Sequence, residues 1–359
     1  MFEQHIREDI LFCMFYAGVA TLSMIASIYL LLRRGNAFAP GITTSVRLRW
    51  WTAALFAALS LSHVWYVPIL YTKAVDDVKH VYFIGGLLDS MTLFPLAIIV
   101  QLTMLQDRRR PLWPVGVMAA PLVAGMSFTV ARSSDTLLPL LYVYLLILGV
   151  GFIVYMLRAL RQYGRWLRDN YADLEHKEVW QSFAVLASIL LLFGIYIIDT
   201  IGPIYIYVVQ VIEMVLVCYL LWRVETLSDL SILQPQAVVT EVTATANDEI
   251  ALLLQEHCVD TRLFLQHDLT LQQLAKAIGI NRYYLSQYFS RQGTTYNAYI
   301  NGLRIDYFVR LYHEAASAQR PFTTKQLAYD SGYRSYSTFS LAFKQRTGQN
   351  VTSWMRNHN

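Results

Sequence analysis

Four ionisable side chains interrupt long apolar stretches of this sequence: His63, Asp89, Asp199 and Glu213. A carboxylate inside a lipid bilayer costs at least a few kcal/mol unless it is paired or wetted, so such groups usually mark a site. The chemistry they offer is a polar cavity able to take up a signal. The plainer reading is that Asp89 is protonated, or bonds across helices to His63 or a serine, and holds the bundle together. Elsewhere the chain lacks reactive constellations: it has no Gly-rich phosphate loop, HExxH, nucleophile elbow or kinase-like core. An enzyme is not expected. The three cysteines, Cys13, Cys218 and Cys258, are too few for a disulfide scaffold and read as packing residues. No Cys/His cluster has metal-ligand spacing, so neither metal nor cofactor is expected.

These groups must be positioned by spans. Crossing a ~30 Å hydrocarbon core takes about 20 residues of helix, and seven apolar runs qualify: 10–32, 50–70, 81–105, 112–131, 137–157, 179–199 and 203–222. Together they hold only Asp89, Asp199 and Glu213 as charged side chains. The chain is 55% hydrophobic and 15% charged, against roughly 25% charged in a soluble domain, which excludes one water-soluble globule. The first run is too long for a signal-peptide core and follows an acidic segment, so it reads as an uncleaved span.

Lys and Arg in the short loops set the orientation. Loops 33–49, 106–111 and 158–178 carry twelve, while the N-terminus and loops 71–80, 132–136 and 200–202 carry four. The N-terminus is therefore expected outside and the C-terminus in the cytoplasm. Trp50, Trp51, Trp113, Trp180 and Trp222 all fall at cytoplasmic ends, as an interfacial belt requires. At ~1.5 Å per residue, His63, Asp89 and Glu213 lie about 11, 12 and 15 Å inside the outer surface, with Asp199 at its lip. Arg158, Arg161, Arg165 and Arg168 line one helical face, suited to anionic headgroups or to coupling with the C-terminal part.

Charge divides the chain a second way. Residues 1–246 carry 17 basic and 17 acidic groups, residues 247–359 carry 12 and 8, and residues 270–359 carry 11 and 3. The last third is therefore basic and suited to a polyanion. It also contains a repeat. QQLAKAIG (272–279) and KQLAYDSG (325–332) share Leu-Ala, three residues and Gly at an offset of 53. Leu285 and Phe289 match Phe339 and Phe343 at 54, and Gly293 matches Gly348. Each copy has the layout of a helix-turn-helix: a small Ala where helices approach, Gly in the turn, and an apolar i, i+4 pair anchoring the second helix. The second copy has one extra residue in its turn.

On these residues, clearest in LTLQQLAKAIGINRYYLSQYFSRQGTTYNAYINGLRIDYFVRLY and FTTKQLAYDSGYRSYSTFSLAFKQRTGQNVTSWMR, the region 247–359 resembles the DNA-binding domain of the AraC/XylS family. The resemblance implies two helix-turn-helix units joined by a linker helix over about 295–315, with Arg304 as its arginine. It implies double-stranded DNA as partner. Base contacts fall to Arg282, Tyr283, Ser286 and Gln287 in the first unit and to Arg334, Tyr336, Ser337 and Ser340 in the second. Lys276, Arg291, Lys344 and Arg346 are the phosphate contacts. Three positions depart from the family pattern: Tyr333 for Phe, Asn350-Val351 for a small residue and Pro, and Leu341 for a frequent Arg. Tyr333 and Val351 suit a core.

The expected fold is all-α: a seven-helix transmembrane bundle plus a C-terminal all-helical domain with two helix-turn-helix units. The expected division is 1–222 as a transmembrane sensor, 223–246 as a cytoplasmic linker and 247–359 as the DNA-binding domain. The corresponding function is a bacterial transcription regulator in the inner membrane, answering an unknown small-molecule or protein signal, with a homodimer possible and the oligomeric state left open. The alternative is a transporter or permease with a regulatory C-terminal domain, suggested by Asp89, Glu213 and the intramembrane Pro68, Pro95 and Pro121. No inverted repeat across the spans supports it.

Overall fold

The computed structural model describes residues 10–33, 36–39, 42–71, 74–184, 204–230 and 247–357. The chain divides into two compact units: Met1–Arg161 with Val179–Gln234, and Gln162–Glu178 with Pro235–Asn359. All regular structure among the described residues is helical, apart from one isolated bridge between Tyr171 and Thr270.

In the first unit, α1 spans Ile10–Leu32, α2 Val46–Tyr66, α3 Val75–Met91, α4 Leu93–Met104 and α5 Trp113–Arg132. The long α6, Leu138–Asn170, begins in this unit, and α7 covers Ile204–Thr226. Six stretches are long and apolar enough to cross a membrane: Ile10–Leu32, Val46–Ile69, Asp76–Met104, Trp113–Arg132, Leu138–Asn170 and Tyr207–Thr226. They correspond to six of the seven expected spans. The remaining one, 179–199, is described only as far as residue 184 and is helical from 180; its other residues, Asp199 included, lie outside the described residues.

The third span departs from the expected 81–105. It starts earlier because Asp76 and Asp77 occupy the first turn of α3, where carboxylates complement the helix dipole. It is also broken at Thr92, whose backbone leaves helical values at φ −120°, ψ −70°. Pro95 has no N–H to offer the Met91 carbonyl, and the Thr92 hydroxyl donates to Leu88 O at 2.7 Å. The interruption therefore sits where a backbone bond is missing.

Helix α1 packs on α2 and α7, α2 also on α4, and α3 on α5. Much of the remaining surface is apolar and exposed, including Leu140, Leu146, Ile147 and Val150 along α6. Such a surface suits lipid rather than water. Trp50, Trp113, Trp180 and Trp222 are exposed as well, whereas Trp51 packs against the cluster of Ile98, Ile99 and Val115.

The last turn of α7 is pinned. Glu225 is fully buried; its carboxylate accepts from Ala37 N at 2.8 Å and lies 3.6 Å from the Arg49 guanidinium. Asn36 Nδ2 donates to Glu225 O at 3.0 Å. Just beyond, Gln106 brackets the backbone by bonding Ser228 O at 2.9 Å and Leu230 N at 2.8 Å, and Asp229 N donates to Thr43 O at 2.8 Å. Residues 225–230 are thus integral to the first unit.

The second unit contains α8 (Asn247–Leu254), continued by a wide turn over Gln255–Asp260, then α9 (Leu271–Ala277), α10 (Arg282–Arg291) and α11 (Tyr296–Ser317). It closes with α12 (Thr324–Asp330), α13 (Tyr336–Thr347) and α14 (Val351–Asn357). Two cores form. One gathers Leu254, Cys258, Leu274, Leu285, Phe289 and Ile300; the other gathers Phe308, Tyr312, Ala328, Phe339, Phe343 and Val351. Helix α11 contributes to both, which is how a linker helix joins two small domains. Tyr333 and Val351 are buried core residues, as their types suggested.

Candidate nucleic-acid interface

Each helix-turn-helix is built by local rules applied twice. Thr270 caps α9, its hydroxyl accepting from Gln273 N at 3.2 Å while the Gln273 side chain accepts from Thr270 N at 2.8 Å, a capping box. Thr323 caps α12 the same way, accepting from Gln326 N at 3.1 Å. The second helices are capped by Asn281, from Tyr283 N at 2.8 Å, and by Ser335, from Thr338 N at 3.3 Å. Helices α11 and α14 are capped by Thr295 and Asn350. The offset between equivalent caps grows along the repeat from 53 to 54 to 55, so the extra residue of the second turn lies between Gly332 and Ser335. Gly279 and Gly332 hold φ of +74° and +88°, where a side chain is disfavoured. At Gly332 a Cβ would also meet the Leu265 backbone at 2.8 Å.

Within this second unit the two helix pairs α9–α10 and α12–α13 are tied together by Arg304, 1% exposed. Its Nε donates to Phe264 O at 2.8 Å, and one terminal nitrogen donates to Gln266 O at 2.7 Å and His267 O at 3.3 Å. The guanidinium sits 5.5 Å from the Tyr333 ring centre, and burial lowers its pKa. Arg304 therefore ties α11 to the segment before α9 and to the turn of the second unit.

Most of the expected contact residues are presented outward. Tyr283 is 62% exposed, and its hydroxyl accepts from Gln287 Nε2 at 2.6 Å; Gln287 in turn accepts from Arg291 at 3.4 Å. These three form one polar row on α10. Ser286 and Ser340 are half-buried, while Ser337, Lys276, Lys344 and Arg291 are exposed. Arg334 is exposed and pairs with Asp268 at 3.7 Å. Tyr336 and Arg346 are partnered within the protein as well: Tyr336 packs on Phe339 with ring centres 5.8 Å apart, and Arg346 pairs with Asp306 at 3.2 Å beside Gly302 of α11. Leu341, the departure from the family pattern on α13, is 61% exposed.

The segment 170–177, which the sequence places in a basic loop, belongs to this unit. Asn170 Oδ1 accepts from the Arg282 guanidinium, and Glu175 Oε2 accepts from the Thr338 hydroxyl at 3.0 Å. Asn297 Nδ2 donates to Ala172 O at 2.7 Å and to Tyr171 O at 3.1 Å, and Asn301 Nδ2 donates to Ala172 O at 3.2 Å. Asn170, Glu175, Thr338, Asn297 and Asn301 were invisible as site residues, because nothing in their spacing links a loop near residue 170 to helices 110 or more residues later.

In the first unit, three of the four ionisable residues are described. His63 Nε2 lies 3.2 Å from Glu213 Oε2 and 3.1 Å from Gln210 Oε1, and its Nδ1 lies 2.8 Å from Leu59 O. Tyr16 Oη donates to His63 O at 2.6 Å. Asp89 Oδ2 accepts from Tyr66 Oη at 2.9 Å, and Ser62 and Trp65 of the same helix also interact with its carboxyl. A Cβ on Gly85 would fall 2.2 Å from that tyrosine's ring; the glycine makes room for the bond.

The architecture is that of a helical protein with membrane-capable helices and a basic C-terminal helical region. Residues 274–357 match the family model described as a helix-turn-helix domain. That match supports a DNA-binding domain of AraC type in the C-terminal part, and with it a DNA-binding transcription regulator. No curated protein and no solved structure matches the chain.

Proposed function

We propose that this protein is a membrane-embedded, one-component transcription regulator. Its cytoplasmic unit binds DNA by sequence, under control of a signal taken up by the outward-facing membrane helices. The observation that carries the reading is the doubled helix-turn-helix, each helix closed by a side-chain cap in both copies and the copies joined through Arg304. Arg282, Tyr283, Ser286 and Gln287, with Arg334, Tyr336, Ser337 and Ser340, are its base-reading side chains. Lys276, Arg291, Lys344 and Arg346 hold phosphates. The His63–Glu213 pair and the Tyr66–Asp89 pair, with Asp199, form the signal cavity. The spans number seven, with the N-terminus outside. Six membrane-capable helices support insertion, and the loop charges support the orientation.

The test is selection of duplexes from a random library by the full-length protein in lipid nanodiscs, at fixed salt. Recovery of a common sequence supports the reading. Salt-sensitive binding with no sequence preference rejects it. Substrate uptake that survives deletion of 247–359 would favour the transporter instead.

A further inference from the structure

Residues 169–178, DNYADLEHKE, carry four carboxylates against one lysine, in a loop whose preceding helix is rich in arginine. This acidic stretch is built into the basic unit. Ala172 is 1% exposed within the first core, Tyr171 bridges to Thr270 at the cap of α9, and α11 holds both carbonyls through Asn297 and Asn301. Tyr163 Oη fastens the far end by donating to Lys177 O at 2.9 Å. Glu175 N donates to Asp173 Oδ1 at 2.9 Å, setting the turn.

Two of its polar contacts fall on the first turns of the two second helices. Arg282, first residue of α10, donates to Asn170; Thr338, third residue of α13, donates to Glu175. In a helix-turn-helix these turns approach base edges and phosphates. A guanidinium already bonded to an amide oxygen is not free for guanine or phosphate, and a carboxylate beside α13 repels the phosphate backbone. The stretch is moreover the direct continuation of α6, whose earlier part is a membrane-capable helix.

We infer that 170–177 is an autoinhibitory strap: an acidic segment of the chain that competes with DNA for the start of both second helices and is withdrawn when α6 shifts. The inference rests on the proposed function and adds how that function is switched. It also supplies a route for the signal through α6, separate from the covalent connection over 231–246.

The experiment uses full-length protein in nanodiscs and duplexes selected by both the wild type and the Asn170→Ala/Glu175→Gln double variant. The double variant should bind its selected duplex about tenfold more tightly than wild type without added signal. Equal or weaker binding by a double variant that keeps its helical signal and elution volume overturns the strap. A second form holds whether or not the double variant folds. Glu175→Cys with Thr338→Cys, joined by a short reversible thiol cross-linker, should lose at least tenfold in affinity when bridged and regain it on release. Undiminished binding by the bridged protein overturns the strap. If no form prefers any sequence, the DNA-binding reading itself fails and the strap falls with it; if wild type and variants share one preference at one affinity, only the strap fails.

Discussion

Replacing Arg304 by Met keeps the volume of the side chain while removing every polar contact it makes. Three carbonyls, Phe264 O, Gln266 O and His267 O, lose their donor, two of them from bonds of 2.8 and 2.7 Å. Hydrogen bonds from a charged donor contribute about 1.5–3 kcal/mol each, and an unsatisfied buried acceptor costs about 1–3 kcal/mol. Stacking on Tyr333 adds about 1 kcal/mol. Against this stands relief from burying a guanidinium, the same burial that lowers its pKa. The balance is a net loss of about 3–5 kcal/mol, in the range found when one partner of a buried charged interaction is removed. Arg304→Lys should lose somewhat less, since an ammonium cannot serve the forked carbonyl set. Hydrogen exchange of the full-length protein reads this locally. At 1.4 kcal/mol per tenfold, amides of 262–270 and 331–336 should exchange about 100- to 4,000-fold faster, with α2 unchanged as an internal control. Acceleration of Arg304→Met below about fivefold would refute the reasoning, because the bonds would then contribute under about 1 kcal/mol.

The two turn glycines should separate. Gly279→Ala meets no neighbour and should cost only the left-handed backbone penalty of about 1–2 kcal/mol, while Gly332→Ala adds a clash with Leu265 and should cost about 2–5 kcal/mol, read as unequal drops in Tm. Gln287→Ala should weaken binding by about 1–3 kcal/mol and relax one base pair, whereas Lys276→Ala should weaken all duplexes alike and lower the salt slope by about 1; repeating the selection with each variant distinguishes them. In the membrane unit, Asp89→Asn and Glu213→Gln should alter the response of a reporter to signal without changing protein abundance. Gly85→Ala should copy the Asp89 phenotype by displacing Tyr66, and unchanged signalling in all three would remove the cavity.

Much of this architecture can be read from one sequence because the physics is local. Apolar runs of about 20 residues announce membrane-capable helices, and a repeated Ala-x-x-x-Gly with its apolar pair announces the two helix-turn-helix units. The linker helix, expected at about 295–315, is found at Tyr296–Ser317. The break at Thr92 was partly legible, since Pro95 stood in plain view. Long-range polar partners were not. Glu225 reads as one more charge after a span, yet it is buried against Arg49 and the 36–38 backbone. Residues 170–177 read only as part of a basic loop, yet they insert Ala172 into a core. A hydrogen bond between residues 112 positions apart leaves no periodicity to find.

The growing offset between the repeats, 53 to 54 to 55, means that the two helix pairs follow one another in tandem as near copies of unequal length. Their second helices differ in length, in cap residue and in outward side chains, with Tyr283 and Gln287 on one and Leu341 on the other. A symmetric dimer reads a palindrome and cannot tell left from right. On the proposed function one chain would read two dissimilar half-sites in a fixed order, so each bound molecule would have a direction along the duplex. Inverting the site should turn the protein end for end relative to the transcription start.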